Sequence, residues 1–399
     1  MRTSTGRTCD GYEETALEQP SQSHSRIQAV TYGYSNSQEA RSMQFFMERT
    51  LSQLTSFFPD EFWGITILQV AQSEPSISHA LLSFSAYHEA YTNGVPGNNI
   101  PFALKHYNLS IQELRASHRS LSHVHLVSCL VFICIEILQG HTGTAVRLFK
   151  DGFRMMSQFY QLVDEQRSQA TELSDIRDHM RTLFTRLALQ VALLAERTSS
   201  ALVVLFSKWS QALDRFIISR GKATFTPSEQ KSLALIDLHR RYFNIVLPWE
   251  NKHNQQYVLS LDRYTSEFEE LVNCASRVLS LEETEPKSQA APVFHLEIGA
   301  VPVLFMTVAW CRDPVIRRRA ISLLMSNQAQ EGIWSSLLTG RVARRLMEAE
   351  EGDLNVHSCK DVPGPRRVTS VLVRLGPRER EATIRYGLHD REWEERIAW

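Results

Sequence analysis

Between Val124 and Leu138 the chain carries twelve apolar residues in fifteen, interrupted only by His125, Ser128 and Glu136. A helix this apolar has no face to offer water, so the rest of the fold must cover it on every side. The run is shorter than the roughly 20 residues that a bilayer-spanning helix needs, and so it reads as a buried core helix. A second stretch, Ile298 to Cys311, carries no charge and contains Pro302. It reads as another buried helix, and a chain of 399 residues is long enough to cover both.

The covering elements show as helical periodicity. Phe45, Phe46, Leu51, Leu54, Phe57 and Phe58 recur near helical spacing until Pro59-Asp60 breaks the run. Asp60 is placed to cap a helix over 61–72. Ser73 is placed to cap one that opens with Pro75 and aligns Ile77, Ala80, Leu81, Phe84 and His88. After the loop at 93–99, Leu104, Tyr107, Ile111 and Leu114 mark a helix over 102–117. Val146, Phe149, Phe153 and Met156 mark another over 143–160, and Gly140 stands where a glycine ends a helix. Residues 100–160 thus look like paired antiparallel helices of helical-repeat size, without a strict period.

Asp164 to Asp175 reads as a polar surface loop, and Met180, Leu183, Phe184, Leu187, Val191 and Leu194 mark the next helix. Further helices are expected at 199–218, 227–246, 256–281, 293–311, 314–327 and 331–350, with Asp313 capping the penultimate one ahead of Pro314. Near the end the residues of 368–375 alternate, Gly376-Pro377 follows, and Thr383 to Tyr386 forms a second short run. One β-hairpin over about 366–387, packed on helices, is expected there. Residues 1–40 hold four strongly apolar side chains and read as a disordered tail. The expected architecture is therefore all-α: a multi-helix domain of paired antiparallel helices over 41–399, with a small C-terminal hairpin.

Composition narrows the function. Apolar residues make up 43% and charged residues 22%, and 43 Lys+Arg against 44 Asp+Glu leave a formal charge of −1. A protein that binds nucleic acid with its whole surface needs a large basic excess, so any such contact must be local. The six cysteines, at 9, 129, 134, 274, 311 and 359, have neither disulfide-scaffold nor metal-knuckle spacing, which points to a reducing compartment. The N-terminus has no apolar core of a signal peptide, so the protein is expected to stay inside the cell, away from membranes.

Candidate chemistry is sparse. No phosphate-binding glycine loop, nucleophile elbow or zinc-protease string occurs. His88-Glu89 lacks a second histidine, and His123 and His125 cannot share a helix face; all read as structural. Cys129 and Cys134 read as small hydrophobes in a buried helix. Glu136, the one carboxylate in the 124–138 run, either shifts its pKa or finds a polar edge or an arginine; the second is preferred. Arg317-Arg318-Arg319 fan out around their helix and read as a solvated face with one or two ion pairs. Arg341, Arg344 and Arg345 read as another exposed face, neutralised by Glu348 and Glu350. No residue is assigned a catalytic, cofactor-binding or metal role.

Two regions resemble one family. Thr3-Ser4-Thr5-Gly6-Arg7-Thr8-Cys9-Asp10-Gly11-Tyr12 is similar to the ending of the six-cysteine module of fungal binuclear zinc-cluster transcription factors, with Cys9 in the place of the last ligand. Arg2 stands where the fifth cysteine would fall. Cys9 is therefore a lone remnant, and one thiolate cannot hold two zinc ions. Phe57-Phe58 through Trp63, Gln69-Val70-Ala71, Ser73-Glu74-Pro75, His79 to Leu82 and Tyr87-His88-Glu89 resemble the start of that family's helical regulatory region. Ser128 to Phe132 with Glu136 and Gln139-Gly140, Cys311-Arg312-Asp313-Pro314 with Ile316 to Ala320, Glu331 to Trp334, and the closing Trp393-Glu394-Glu395 with Trp399 continue it.

The resemblance implies a nuclear transcription regulator of a fungal metabolic or secondary-metabolite gene cluster, acting through a regulatory domain without catalysis. It implies protein partners, as a homodimer or as a heterodimer with another zinc-cluster factor. DNA would be reached indirectly or through a missing N-terminal module, with zinc as a cofactor only in that module. A helical protein-interaction scaffold with no transcriptional role is the alternative, and an all-helical enzyme with a polar pocket at Glu136 or His88 the third reading.

Overall fold

The computed structural model describes residues 37–94, 99–117, 122–165, 171–194, 200–220, 225–247, 259–282, 291–375, 381–388 and 391–398. The expected tail, with Cys9, lies outside them, as does Trp399. The described chain is mostly helical, wound around two apolar cores with small sheets.

The first core is built in chain order. α1 (Ser37–Phe45) runs through a wide π-type turn at Phe46–Thr50 into α2 (Leu51–Leu54), and a second wide turn at Phe62–Thr66 leads into α3 (Ile67–Ser73). Asp60 caps as expected: its Oδ1 accepts the Phe62 amide at 3.0 Å. α4 (Pro75–Asn93) opens on Pro75, but Glu74 rather than Ser73 holds the cap position, in extended conformation. The proline ring explains this, since it excludes the preceding residue from helical geometry. α5 (Asn99–Ala116), α6 (His123–Leu138), α7 (Thr142–Glu165) and α8 (Thr171–Leu194) follow.

Within the stretch 100–160 the expected pairing holds for α6 with α7, whereas α5 pairs with α4, which lies ahead of that stretch. Every residue of α6 from Leu126 to Ile137 is buried, as its composition demands. The polar loop expected at 164–175 is shorter than that, because α7 reaches Glu165 and α8 begins at Thr171.

The second core holds α10 (Pro227–Val246), which follows α9 (Ser200–Arg220). A short 3-10 turn at Leu261–Tyr264 then enters α11 (Thr265–Glu282). α12 (Val301–Trp310), α13 (Pro314–Ser326) and α14 (Ser336–Glu351) complete it. The helix expected over 293–311 begins only at Val301, since Pro302 fits only a first turn. Upstream, β1 (Val293–His295) pairs in parallel with β2 (Ala329–Glu331), which pairs antiparallel with β3 (Trp334–Ser335). The helix expected over 331–350 accordingly starts at Ser336, and Gly332 turns between β2 and β3 at φ +53°.

The C-terminal hairpin is a three-stranded antiparallel meander of β4 (Ser370–Leu375), β5 (Glu381–Leu388) and β6 (Arg391–Ala398). β5 alternates cleanly, burying Ala382, Ile384, Tyr386 and Leu388. β6 was hidden in the sequence by its charges, which suit an edge strand; Arg385 of β5 meets Glu394 of β6 at 2.7 Å.

β1 joins the two cores. Its Phe294 belongs to the first, and the Phe294 amide donates to Gln53 Oε1 at 2.7 Å. Across the turn after β2, Gln190 Oε1 accepts the Ile333 amide at 3.2 Å, and its amide nitrogen donates to the Leu296 carbonyl. A Cβ on Gly332 would stand 1.9 Å from Gln190 Oε1, whereas one on Gly140, also at positive φ, would meet nothing within 4 Å. Gly140→Ala is therefore expected to cost about 1 kcal/mol, the left-handed backbone penalty alone. Gly332→Ala should cost at least about 2 kcal/mol more, because Gln190 must abandon its buried bonds. Urea unfolding of the two variants checks this, and equal losses would refute the steric account.

Candidate functional site

The densest buried chemistry surrounds α12. Its amide end is met by a carboxylate: the Glu331 side chain, fully buried, accepts the backbone N–H groups of Gly299 at 3.1 Å, Ala300 at 3.0 Å and Val301 at 2.9 Å. Gly299 is required there, since a Cβ would lie 2.4 Å from Glu331 Oε1. The carbonyl end is met by guanidinium groups. Arg312 Nη1 donates to the Trp310 carbonyl at 2.8 Å, and Arg317 Nε donates to that of Val308 at 3.1 Å.

Both arginines are fully buried and converge on one carboxylate. Glu350 lies 2.6 Å from Arg312 Nη2 and 2.7 Å from Arg317 Nη2, and its Oε1 also accepts the Val368 amide at 2.6 Å. Burial alone would push the Glu350 carboxyl up; Arg312 and Arg317 outweigh it and hold it below its ordinary range. Nearby, Arg367 forms a two-bonded pair with Asp262, at 2.7 Å for each bond, and donates to the Cys359 carbonyl at 2.7 Å.

These contacts correct two sequence expectations. Within Arg317-Arg318-Arg319 the expected solvated face fails at Arg317, which is buried; Arg318 and Arg319 are exposed as expected, Arg318 pairing with Glu351 and Arg319 reaching Asn273 at 2.6 Å. Glu350 does not neutralise Arg341, Arg344 and Arg345. Arg341 and Arg344 are exposed as expected, and Arg345 lies 3.9 Å from the expected Glu348, but its nearer partner is Glu395 of β6 at 2.6 Å. The sequence offered one hint of this cluster, a charged Arg312 wedged between an apolar run and an Asp-Pro cap. Helical spacing alone could not reveal that Arg317 points inward with it.

The other candidates are engaged in structure. His88 Nε2 lies 3.0 Å from Gln53 Oε1 and so carries the proton, leaving Nδ1 to accept from the Thr50 hydroxyl at 2.9 Å. Burial lowers its pKa to about 3. Glu136 accepts from the Tyr107 hydroxyl at 2.8 Å and lies 3.0 Å from His141 Nδ1, polar partners where the sequence left a polar edge or an arginine open. His125 Nδ1 accepts the Ser122 amide at 3.3 Å, closing the start of α6, while His123 lies two residues away on another face. Burial pushes the Cys129 thiol up to about 12 and raises Cys134 also, which leaves both as thiols.

A cleft of about 210 Å³ lies between the start of α4 at Glu74 and Pro75, the end of α5 at Glu113 and Ser117, and the start of α6 at Ser122 and His125. It is smaller than the roughly 300 to 1,000 Å³ of small-molecule sites, and none of the buried charges faces it. Among the described residues no three His, Cys, Asp or Glu side chains gather as a metal site, and no helix is long and apolar enough to cross a membrane. The arrangement binds backbone and charge to each other; its chemistry is positional.

Comparison with known proteins points the same way. A family model described as the fungal specific transcription factor domain matches residues 41–281, more than half of the chain. The aspercryptin biosynthesis cluster-specific transcription regulator atnN of Emericella nidulans is 35% identical over 80 residues, covering 17% of this chain and 13% of that relative. No solved structure matches.

Glu350→Gln removes the charge that two buried guanidinium groups face, and is expected to cost about 3 to 5 kcal/mol at neutral pH. Because the folded pKa of Glu350 lies below its ordinary 4.5, its contribution is complete above that value and fades as pH falls through the folded one. The gap between wild type and variant in urea unfolding should therefore narrow at low pH. A gap that is constant with pH would refute this assignment.

Proposed function

From its place in the fungal specific transcription factor domain family, to which this chain belongs, we propose that it regulates a fungal gene cluster for metabolism or secondary metabolism, from the nucleus. The family match over 41–281 carries this reading, and the printed role of the Emericella nidulans relative supports the cluster assignment. Residues 41–398 are proposed to act as one regulatory domain, because β1 and the Gln53 and Gln190 contacts fasten the segment after 281 to the matched part. The domain is proposed to work without catalysis: the fully buried Glu331, Glu350, Arg312 and Arg317 are spent on helix ends and on each other. DNA would be reached through a protein partner, or through a zinc-cluster module of which Cys9-Asp10-Gly11-Tyr12 is the ending.

Fusing the full chain to a heterologous DNA-binding domain should change expression of a reporter bearing the cognate sites by several-fold, and a fluorescently tagged full chain should concentrate in fungal nuclei. A silent reporter together with a cytoplasmic protein would overturn this reading in favour of an interaction scaffold.

A further inference from the structure

Four large apolar side chains that face water fall within ten residues of α9: Trp209 (42% exposed), Phe216 (49%), Ile217 (39%) and Ile218 (76%). Single exposed apolar residues are ordinary, whereas a cluster on one helix marks a contact surface. α9 lies antiparallel along α10, fixed by Asp214 with Arg240 and Arg220 with Glu229, each at 2.6 Å, and by the Phe206 ring 5.6 Å from Phe243. Those contacts define the inward side.

Trp209 and Phe216 are seven residues apart, about two turns, so they share one flank of α9 beside Phe206. Lys208 and Arg215 each precede one of these aromatics and form a parallel row about 100° farther from α10, with exposed Ala212 between the rows. Both cations are exposed, and among the described residues neither forms an ion pair. The one carboxylate of α9, Asp214, is turned to Arg240. The flank is thus an apolar strip edged by uncompensated positive charge.

This pattern selects among occupants. A second copy laid antiparallel on the strip would set Lys208 and Arg215 against the same residues of its partner, a like-charge contact. Nucleic acid is disfavoured too, since two cations fall short of the roughly 6 to 10 phosphate contacts that sustain binding. A helix with one apolar face and acidic edges satisfies both rows. We propose that the Trp209 and Phe216 flank of α9 is the docking site for an acidic amphipathic helix of a partner protein, with its apolar side on Trp209, Ala212 and Phe216 and its carboxylates toward Lys208 and Arg215. The proposal does not depend on the gene target.

The test uses the full chain and a fluorescein-labelled synthetic helix of about five turns with a leucine face and glutamate edges, alongside the same helix with lysine edges, in fluorescence anisotropy. The glutamate helix should bind, at least about tenfold weaker at high salt, and the lysine helix should not. Lys208→Glu with Arg215→Glu should reverse that preference. Trp209→Ala with Phe216→Ala should abolish binding of either helix while circular dichroism keeps the wild-type helical signal and unfolding stays cooperative, because neither side chain belongs to the buried core. Absence of binding by the glutamate helix, equal binding of both helices, or a charge-reversed variant that binds as wild type would overturn the proposal. So would displacement of the bound helix by duplex DNA, or a wild-type dimer in light scattering that becomes monomeric in the aromatic variant.

Discussion

A helix buried from end to end cannot leave its terminal amides and carbonyls to water, and α12 imposes that constraint on the whole C-terminal half. With Val301 to Val308 all buried, water cannot serve those ends, so side chains must. Glu331 meets the amide end, and Arg312 and Arg317 meet the carbonyl end. The signs suit the helix dipole, negative at the start and positive at the finish. Bringing two guanidinium groups out of water then demands a counter-charge, which Glu350 supplies from the last turn of α14.

Each solution recruits another element. Glu331 sits on β2, so capping α12 places the small sheet and forces glycine at 299. Glu350 takes the Val368 amide with its remaining capacity, which fixes where the chain approaches β4. The same sheet carries Phe294 into the first core and turns at Gly332 under Gln190 of α8. Apolar burial therefore sets how many helices are needed, while the polar groups at one helix's ends set how the two halves meet.

Much of this could be read from the sequence, and the division is physical. Helices with a one-sided apolar pattern, the capping by Asp60 and Asp313, and the glycine at 140 follow from local rules and were legible. α6 was legible because its composition permits no exposed face. What escaped depends on partners distant in sequence: β1 and β2 are three residues each and form only because 293–295 meets 329–331. The inward turn of Arg317 and the pairing of Glu350 likewise depend on a carbonyl and a carboxylate supplied by other helices. β6 alternates weakly because an edge strand gains more from charges than from apolar residues.

The interior and the surface of this protein thus have opposite relations to charge. Inside, Arg312, Arg317 and Glu350 are matched to one another and to backbone ends, and burial has driven His88, Cys129 and Cys134 toward their uncharged forms. A group held in one protonation state by its surroundings has little capacity to exchange protons near neutral pH, so these residues serve architecture. On α9 the balance is reversed: apolar groups face water and neighbouring cations stand without carboxylates. The formal charge of −1 conceals this, because near-neutrality of the whole says nothing of how charge is distributed. A chain whose buried polar groups are consumed in holding helix ends retains its capacity to recognise other molecules where its surface is unmatched, and in the described residues that mismatch is concentrated on the α9 flank.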